Sequence, residues 1–173
     1  YGGNLWRLLL AQAEGFDGGP YGMEALNVLR IEKGFLTHAE MHGRTTAFDL
    51  GMQKMLSRRK DFIGRAAAGR PGLRDQSREQ LVGLVSRSRE TGLPAGAHLF
   101  VPGAAPESFN DQGYVTSSAW SPTLERYIAL GFLRNGRTRP GETLRAVDHL
   151  RGVDVTCEVH DPVFVDPDGG RMR

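Results

Sequence analysis

Apolar positions along this chain change their spacing near residue 75. In NLWRLLLAQAE, residues 4–14, Leu5, Leu8 and Leu9 recur at the three- and four-residue intervals of one helix face. Asn4 offers an N-cap and Gly15 a stop. The run FDGGPYG, 16–22, is turn chemistry. A second helix is predicted from Met23 to Glu32, with Ala25, Leu26 and Leu29 as its apolar face and Gly34 as its C-terminal break. Thr46-x-x-Asp49 has the form of a capping box ahead of Leu50. Ala66–Ala68 predicts a short helix ended by Gly69-Arg70-Pro71-Gly72, and the polar stretch through Glu79 reads as a linker.

Beyond residue 79 short apolar runs alternate with turns: Gln80–Ser86, His98–Val101, Gly113–Ala119, Tyr127–Leu133, Thr143–Val147, Val153–Val159 and Val163–Val165. That rhythm predicts a small antiparallel barrel or sandwich. In VDVTCEV the alternation is cleanest, placing Val153, Val155, Cys157 and Val159 on one face. The expected fold class is therefore α+β, a helical first part and an all-β second part.

Composition narrows the picture without naming a chemistry. With 173 residues, 39% of them hydrophobic and 24% charged, the chain is an ordinary globular one, which excludes collagen-like, mucin-like and wholly disordered readings. No apolar run approaches the ~18 residues of a membrane-spanning helix. Cys157 is the single cysteine, so an internal disulfide, a CxxC pair and a cysteine-based zinc site are excluded, and a reducing compartment suits it. Of 22 basic residues only Lys33, Lys54 and Lys60 are lysines, and the net charge is +2. The arginines are dispersed and nearly balanced by acids, so no nucleic-acid partner is expected. The chain starts at Tyr1 and carries no signal-peptide pattern, which suggests a piece of something longer.

Candidate chemistry is sparse. His38-Ala-Glu-Met-His42 has two histidines at the spacing of a zinc-binding helix face, but Glu40 stands where the metalloprotease pattern does not put it. Gly34 and Gly43 leave little room for a helix there, so a surface segment with two exposed imidazoles is expected and no metal site is assigned. No GxSxG elbow occurs, and Ser117, Ser118 and Ser121 read as strand and turn hydroxyls that cap backbone groups. Cys157 reads as core filler, and His160-Asp161 as a strand-end turn before Pro162. Neither GxGxxG nor GxxxxGK[ST] is present, so no self-contained nucleotide site is expected.

Five runs taken together resemble one family. Glu24–Gly34 (EALNVLRIEKG) is similar to the A-R-D-x-L-R-L-E-x-G helix of the glycine cleavage T-protein family, and Lys60–Arg65 (KDFIGR) to its DFIGR linker. Leu81-Val82-Gly83-Leu84 resembles its first barrel strand. Gly113–Ser118, Ser121–Leu124 and Ile128–Leu130 resemble its G-x-[VI]-T-S…SPTL…IAL run, and Pro162–Val165 its closing strand. The motifs keep the family's order across residues 24–165. Within the family, EALNVLRIEKGF with THAEMHGRTT is most like the branch formed by the alpha subunits of heterotetrameric sarcosine oxidases.

The resemblance implies a folate-binding module. Residues 1–75 would be the C-terminal portion of its helix-containing domain plus linker, and 76–173 a jelly-roll-like barrel. The family's first helix arginine, credited with touching folate, is replaced here by Leu26, which cannot form a guanidinium hydrogen bond. That departure counts against an intact aminomethyltransferase site. Arg30, Glu32 and Leu26 are the implied folate-site candidates, with a salt-bridged Arg30–Glu32 pair supporting the helix as the other reading of the first two. No catalytic residue is named, because the family's catalytic aspartate would precede Tyr1.

The implied parent reaction is oxidative demethylation of sarcosine at a flavin, reoxidised by oxygen to peroxide, with the one-carbon unit passed to tetrahydrofolate. FAD, FMN and NAD are implied only for the rest of a cytoplasmic complex. The implied partners are the remainder of the alpha subunit and a flavin-bearing beta subunit, and the isolated fragment is expected to be inactive. Two alternatives stay open: an aminomethyltransferase or dimethylglycine/sarcosine dehydrogenase-like folate domain, and a non-catalytic barrel docking to a flavin subunit.

Overall fold

A computed structural model describes residues 1–172, so Arg173, the last position of the expected barrel domain, lies outside the described residues. Helix α1 spans Gly2–Glu14 and α2 spans Met23–Glu32, followed by the single-turn α3 at Arg65–Ala68. Six strands then follow: β1 (Glu79–Ser86), β2 (His98–Phe100), β3 (Gly113–Ser121), β4 (Arg126–Arg134), β5 (Thr143–Asp148) and β6 (Val153–His160). They close into a barrel in the order β1-β4-β3-β2-β5-β6, every neighbouring pair antiparallel. Closure removes the exposed edges that an open sheet of this size would present.

Alternation in the strands becomes two separate apolar layers. Inward residues, among them Leu84, Leu99, Val115, Leu144, Val155 and Cys157, fill the barrel. Leu81, Ile128, Leu130 and Phe132 of β1 and β4 point outward and are buried under Ile31 of α2, with Leu36 and Phe164 beside them. Strand β4 is therefore covered on both faces, which explains why Tyr-Ile-Ala-Leu-Gly-Phe-Leu reads as a continuous apolar run rather than an alternating one.

Four expectations need correction. Helix α1 begins at Gly2 with Tyr1 as its cap residue, so Asn4 lies inside the first turn, where its Oδ1 accepts from Arg7 instead of capping. The face of α2 that meets the barrel carries Ile31, with Val28 half-buried one turn before it, and not Ala25, Leu26 and Leu29, which are exposed. The helix has two apolar stripes, and the sequence pattern picks out the longer one. Thr46 and Asp49 make the reciprocal bonds of a capping box, but Gly51 at φ +77° closes the segment after one turn, so no α-helix grows from it and only a single 3-10 turn follows at Gln53–Met55. Val163–Val165 is not a strand. The Phe164 and Val165 amides both donate to the Glu32 carbonyl (2.9 Å each), which ties the segment to the end of α2 and leaves no ladder to join.

Gly34 is the hinge of this arrangement. The Phe35 amide donates to the Arg30 carbonyl (2.7 Å) and the Gly34 amide to that of Ile31 (3.1 Å), a Schellman closure of α2. Gly34 sits at φ +71°, and a Cβ there would stand 2.6 Å from the Pro162 carbonyl oxygen. Only glycine satisfies both the backbone angle and the close approach.

Candidate functional site

Helix α2 and the loop after it lie against β3 and β4, and that seam gathers the buried polar side chains Glu32, Glu40, Ser117 and Ser121. Its centre is Glu40, which is 0% exposed. One carboxylate oxygen accepts from the Ser117 hydroxyl (2.6 Å) and lies 2.7 Å from that of Thr116. The other accepts from the Thr37 amide (2.9 Å), the Thr37 hydroxyl (3.1 Å) and Arg30 Nη1 (3.4 Å). Burial pushes the Glu40 carboxyl up, yet the hydrogen bonds from Ser117, Thr116 and the Thr37 amide, with the Arg30 charge, outweigh it and hold the group below its ordinary range.

Local sequence builds this cluster from both sides. Thr37-His38-Ala39-Glu40 is a T-x-x-E box whose glutamate returns to the threonine amide. On the barrel, β3 carries a bulge between Val115 and Ser117, which lets consecutive hydroxyls, Thr116 and Ser117, reach the same carboxylate.

Arg30 leans across this seam. Its Nη2 donates to Ser117 Oγ (2.8 Å), its Nε to Asn27 Oδ1 (2.9 Å), and Nη1 meets Glu40. Glu32 does not pair with Arg30. Its carboxylate accepts from the Ser121 hydroxyl (2.5 Å), whose oxygen in turn accepts the Leu124 amide (3.0 Å). The structure thus separates Arg30 and Glu32 into two independent anchors, one at each end of the α2–β3 contact. Lys33 adds a third through Asp166 (3.0 Å).

On the outer side of these anchors runs a groove of about 430 Å³, lined by Leu26, Leu29, Phe35, Thr123 and Val165, with Arg30, Glu32 and the Lys33–Asp166 pair in its wall and Arg171 also lining it. All three candidates, Leu26, Arg30 and Glu32, come together here. Leu26 is 41% exposed and faces the groove as an apolar wall. A planar aromatic ligand with an anionic end suits such a surface: apolar side chains for the rings and the Arg171 guanidinium for the charge.

The other motifs resolve plainly. Residues 37–45 form turns, so His38 and His42 do not share a helix face; His38 is exposed, while His42 is half-buried against Phe132 and bonded to the Tyr114 hydroxyl (3.1 Å). Cys157 faces the barrel interior, and burial pushes its thiol up to about 12. His160 stacks on Phe164 at a strand-end turn. Ser117 serves a carboxylate rather than a backbone group, whereas Ser121 caps the Leu124 amide. Sequence reading missed Glu40, Thr116 and Tyr114. The Thr37-x-x-Glu40 spacing was the available signal for the first.

A closed six-stranded antiparallel barrel with a helix docked on β3 and β4 defines the class of protein. The sequence matches the glycine cleavage T-protein C-terminal barrel domain over residues 79–166 and the GCVT N-terminal domain over residues 1–60. The chain belongs to the glycine cleavage T-protein family.

Along its whole length it is similar to the sarcosine oxidase subunit alpha of Rhizobium meliloti (strain 1021), at 43% identity over 100% of this chain and 18% of that protein. The sarcosine oxidase subunit alpha of Corynebacterium sp. (strain P-1) is 36% identical over 99% of this chain and 18% of its own length. An aminomethyltransferase of Streptomyces coelicolor is 34% identical over 90% of this chain and 41% of its own. The chain therefore spans less than a fifth of the sarcosine oxidase subunits it matches. The crystal structure of the glycine cleavage system aminomethyltransferase T from Bartonella henselae shares the fold, with a TM-score of 0.67 at 24% identity over 82% of this chain and 38% of that one.

Proposed function

We propose that this chain is the T-protein-like region of a sarcosine oxidase alpha subunit and forms one wall of the tetrahydrofolate site that captures the one-carbon unit released from sarcosine. The observation that carries the reading is the similarity to sarcosine oxidase alpha subunits from end to end of the chain, where the aminomethyltransferase match is weaker and shorter. Leu26 supports it, because the groove wall is apolar where a T-protein would present a guanidinium.

Folate, when bound, supplies the amine that accepts the one-carbon unit. The residues of this chain would hold and orient it. Leu26, Leu29 and Phe35 offer apolar surface to its aromatic rings, and Arg171 a cation for its carboxylate end. Arg30 and Glu32 act one step back: they fix α2 to β3 through Ser117, Glu40 and Ser121, so the wall does not shift as ligand enters. Such fixed placement is how a folate module raises the encounter of amine and one-carbon unit. FAD, FMN and NAD belong, on this reading, to other parts of the oxidase and its flavin-bearing subunit.

Calorimetric titration of the oxidase carrying this chain with tetrahydrofolate tests the assignment. Leu26→Glu places a carboxylate in the groove, and folate affinity should fall about tenfold or more. Sarcosine-dependent peroxide formation should stay unchanged. Unaltered folate binding in the variant would remove this groove from the site. Transfer of the methylene carbon of a carrier-bound aminomethyl group, with release of ammonia and no oxidase activity, would instead support an aminomethyltransferase.

A further inference from the structure

A second concavity of about 520 Å³ lies between the 42–45 loop, the 73–79 segment and the adjoining ends of β3 and β4, and it shares no lining residue with the groove beside α2. Tyr114 stands in it on a base of buried Phe132, their rings 5.8 Å apart. The Arg44 amide donates to His42 Nδ1 (3.3 Å), which places the imidazole hydrogen on Nε2. Nε2 therefore donates to the Tyr114 oxygen (3.1 Å), and the phenolic hydrogen is left to point into the cleft.

Three arginines, Arg44, Arg78 and Arg134, line the same cleft. Arg78 is committed: it grips the buried Asp49 with Nε and Nη2 (2.9 and 2.8 Å) and also holds the Arg44 carbonyl (2.9 Å), which fixes the loop that carries His42. Arg44 and Arg134 are exposed and have no carboxylate within 4.0 Å among the described residues. Glu79, across the β1–β4 ladder from Arg134, also borders the cleft. Counting Arg44, Arg78 and Arg134 against Asp49 and Glu79, the lining carries one net positive charge.

We propose that this cleft is a binding site for the carboxylate of a small organic acid, received by the Tyr114 hydroxyl and the Arg44 and Arg134 guanidiniums, with the hydrocarbon part against Leu73 and the Tyr114 ring. A monoanion cancels the single net charge, whereas a phosphate dianion would reverse it beside Glu79. The Tyr114 hydroxyl and the backbone of the Arg44 loop are set before ligand arrives, because His42 holds the first and Arg78, itself clamped by Asp49, holds the second. Preorganisation of this kind lowers the ordering penalty of binding.

Titration of the full chain with benzoate, read by calorimetry and by NMR of the His42 ring protons, tests the site. Benzamide serves as the neutral isostere and inorganic phosphate as the competing anion. Benzoate should bind saturably and move the His42 signals, while benzamide should do neither. A variant with both Arg44→Gln and Arg134→Gln should lose about tenfold or more in benzoate affinity, and Tyr114→Phe about three- to tenfold. Both arginines are exposed, and circular dichroism should show an unchanged fold. Three results would overturn the proposal: no saturable benzoate binding, equal binding by benzamide, or undiminished affinity in the double variant. Phosphate binding tighter than benzoate would overturn the carboxylate assignment.

Discussion

Replacing Glu40 by alanine removes an acceptor on which five donors converge: two Thr37 groups, Thr116, Ser117 and Arg30. The site is closed to water at the carboxylate, while Arg30 keeps 15% of its side-chain surface and can partly rehydrate. Breaking a buried ion pair from one side costs about 3–5 kcal/mol. Rehydration of Arg30 brings the estimate to the lower half of that range, and Thr116 retains the Leu130 carbonyl (3.0 Å) as a second acceptor. The expected loss is therefore about 3–4 kcal/mol.

The sign of the pH dependence is set as well. Glu40 titrates below its ordinary 4.5 in the folded chain, so its contribution is fully present above that pH and lost as pH falls through the lower, folded value. Urea unfolding of the parent, Glu40→Ala and Glu40→Gln at neutral pH and in steps down through pH 4.5 measures both effects. Glu40→Gln keeps the volume but not the charge, and should flatten the acid-side fall in stability. A loss below about 1 kcal/mol for Glu40→Ala, the value of an ordinary hydrogen bond, would refute the view that this carboxylate anchors α2 to the barrel. An unchanged acid dependence in Glu40→Gln would refute the depressed titration.

Gly34→Ala should destabilise by about 2 kcal/mol or more, since it combines a positive φ with a 2.6 Å approach to the Pro162 carbonyl; the midpoint of urea unfolding reads it. The Cys157 thiol, buried and shifted to about 12, should resist an aromatic disulfide reagent at pH 8 until denaturant is added, and rapid labelling of the folded chain would contradict its place in the barrel. Ser121→Ala strips Glu32 of its hydroxyl donor and Leu124 of its cap. It should cost about 1–3 kcal/mol by thermal unfolding, and no change would mean that Glu32 finds another donor.

Much of the barrel was legible because each strand declares itself locally. Val153, Val155, Cys157 and Val159 alternate as an inward face must, and six of the seven apolar runs are strands. The seventh, Val163–Val165, has the composition of a strand but spends its amides on the Glu32 carbonyl, a partner more than 130 residues earlier that no local pattern reveals. The same limit hid the apolar face of α2. Both Leu26–Leu29 and Val28–Ile31 keep helical spacing, and only the outward side chains of β4 decide which of them is covered. Glu40 lay within a two-histidine pattern read as a surface segment once a metal site was set aside, although Thr37-x-x-Glu40 was as good a box as Thr46-x-x-Asp49. The contact of His42 with Tyr114, 72 residues apart, has no sequence signature at all. Local periodicity reports which residues want burial; it does not report against what.

The central claim is that this chain helps deliver the one-carbon unit of sarcosine to tetrahydrofolate. Its most direct measurement is product partition during sarcosine turnover by the oxidase that contains it, with and without tetrahydrofolate. The account predicts that added tetrahydrofolate diverts released formaldehyde into methylene-tetrahydrofolate at unchanged peroxide yield, and that Leu26→Glu restores formaldehyde release at the same folate concentration. Formaldehyde yield indifferent to tetrahydrofolate, or diversion undiminished by Leu26→Glu, would contradict it.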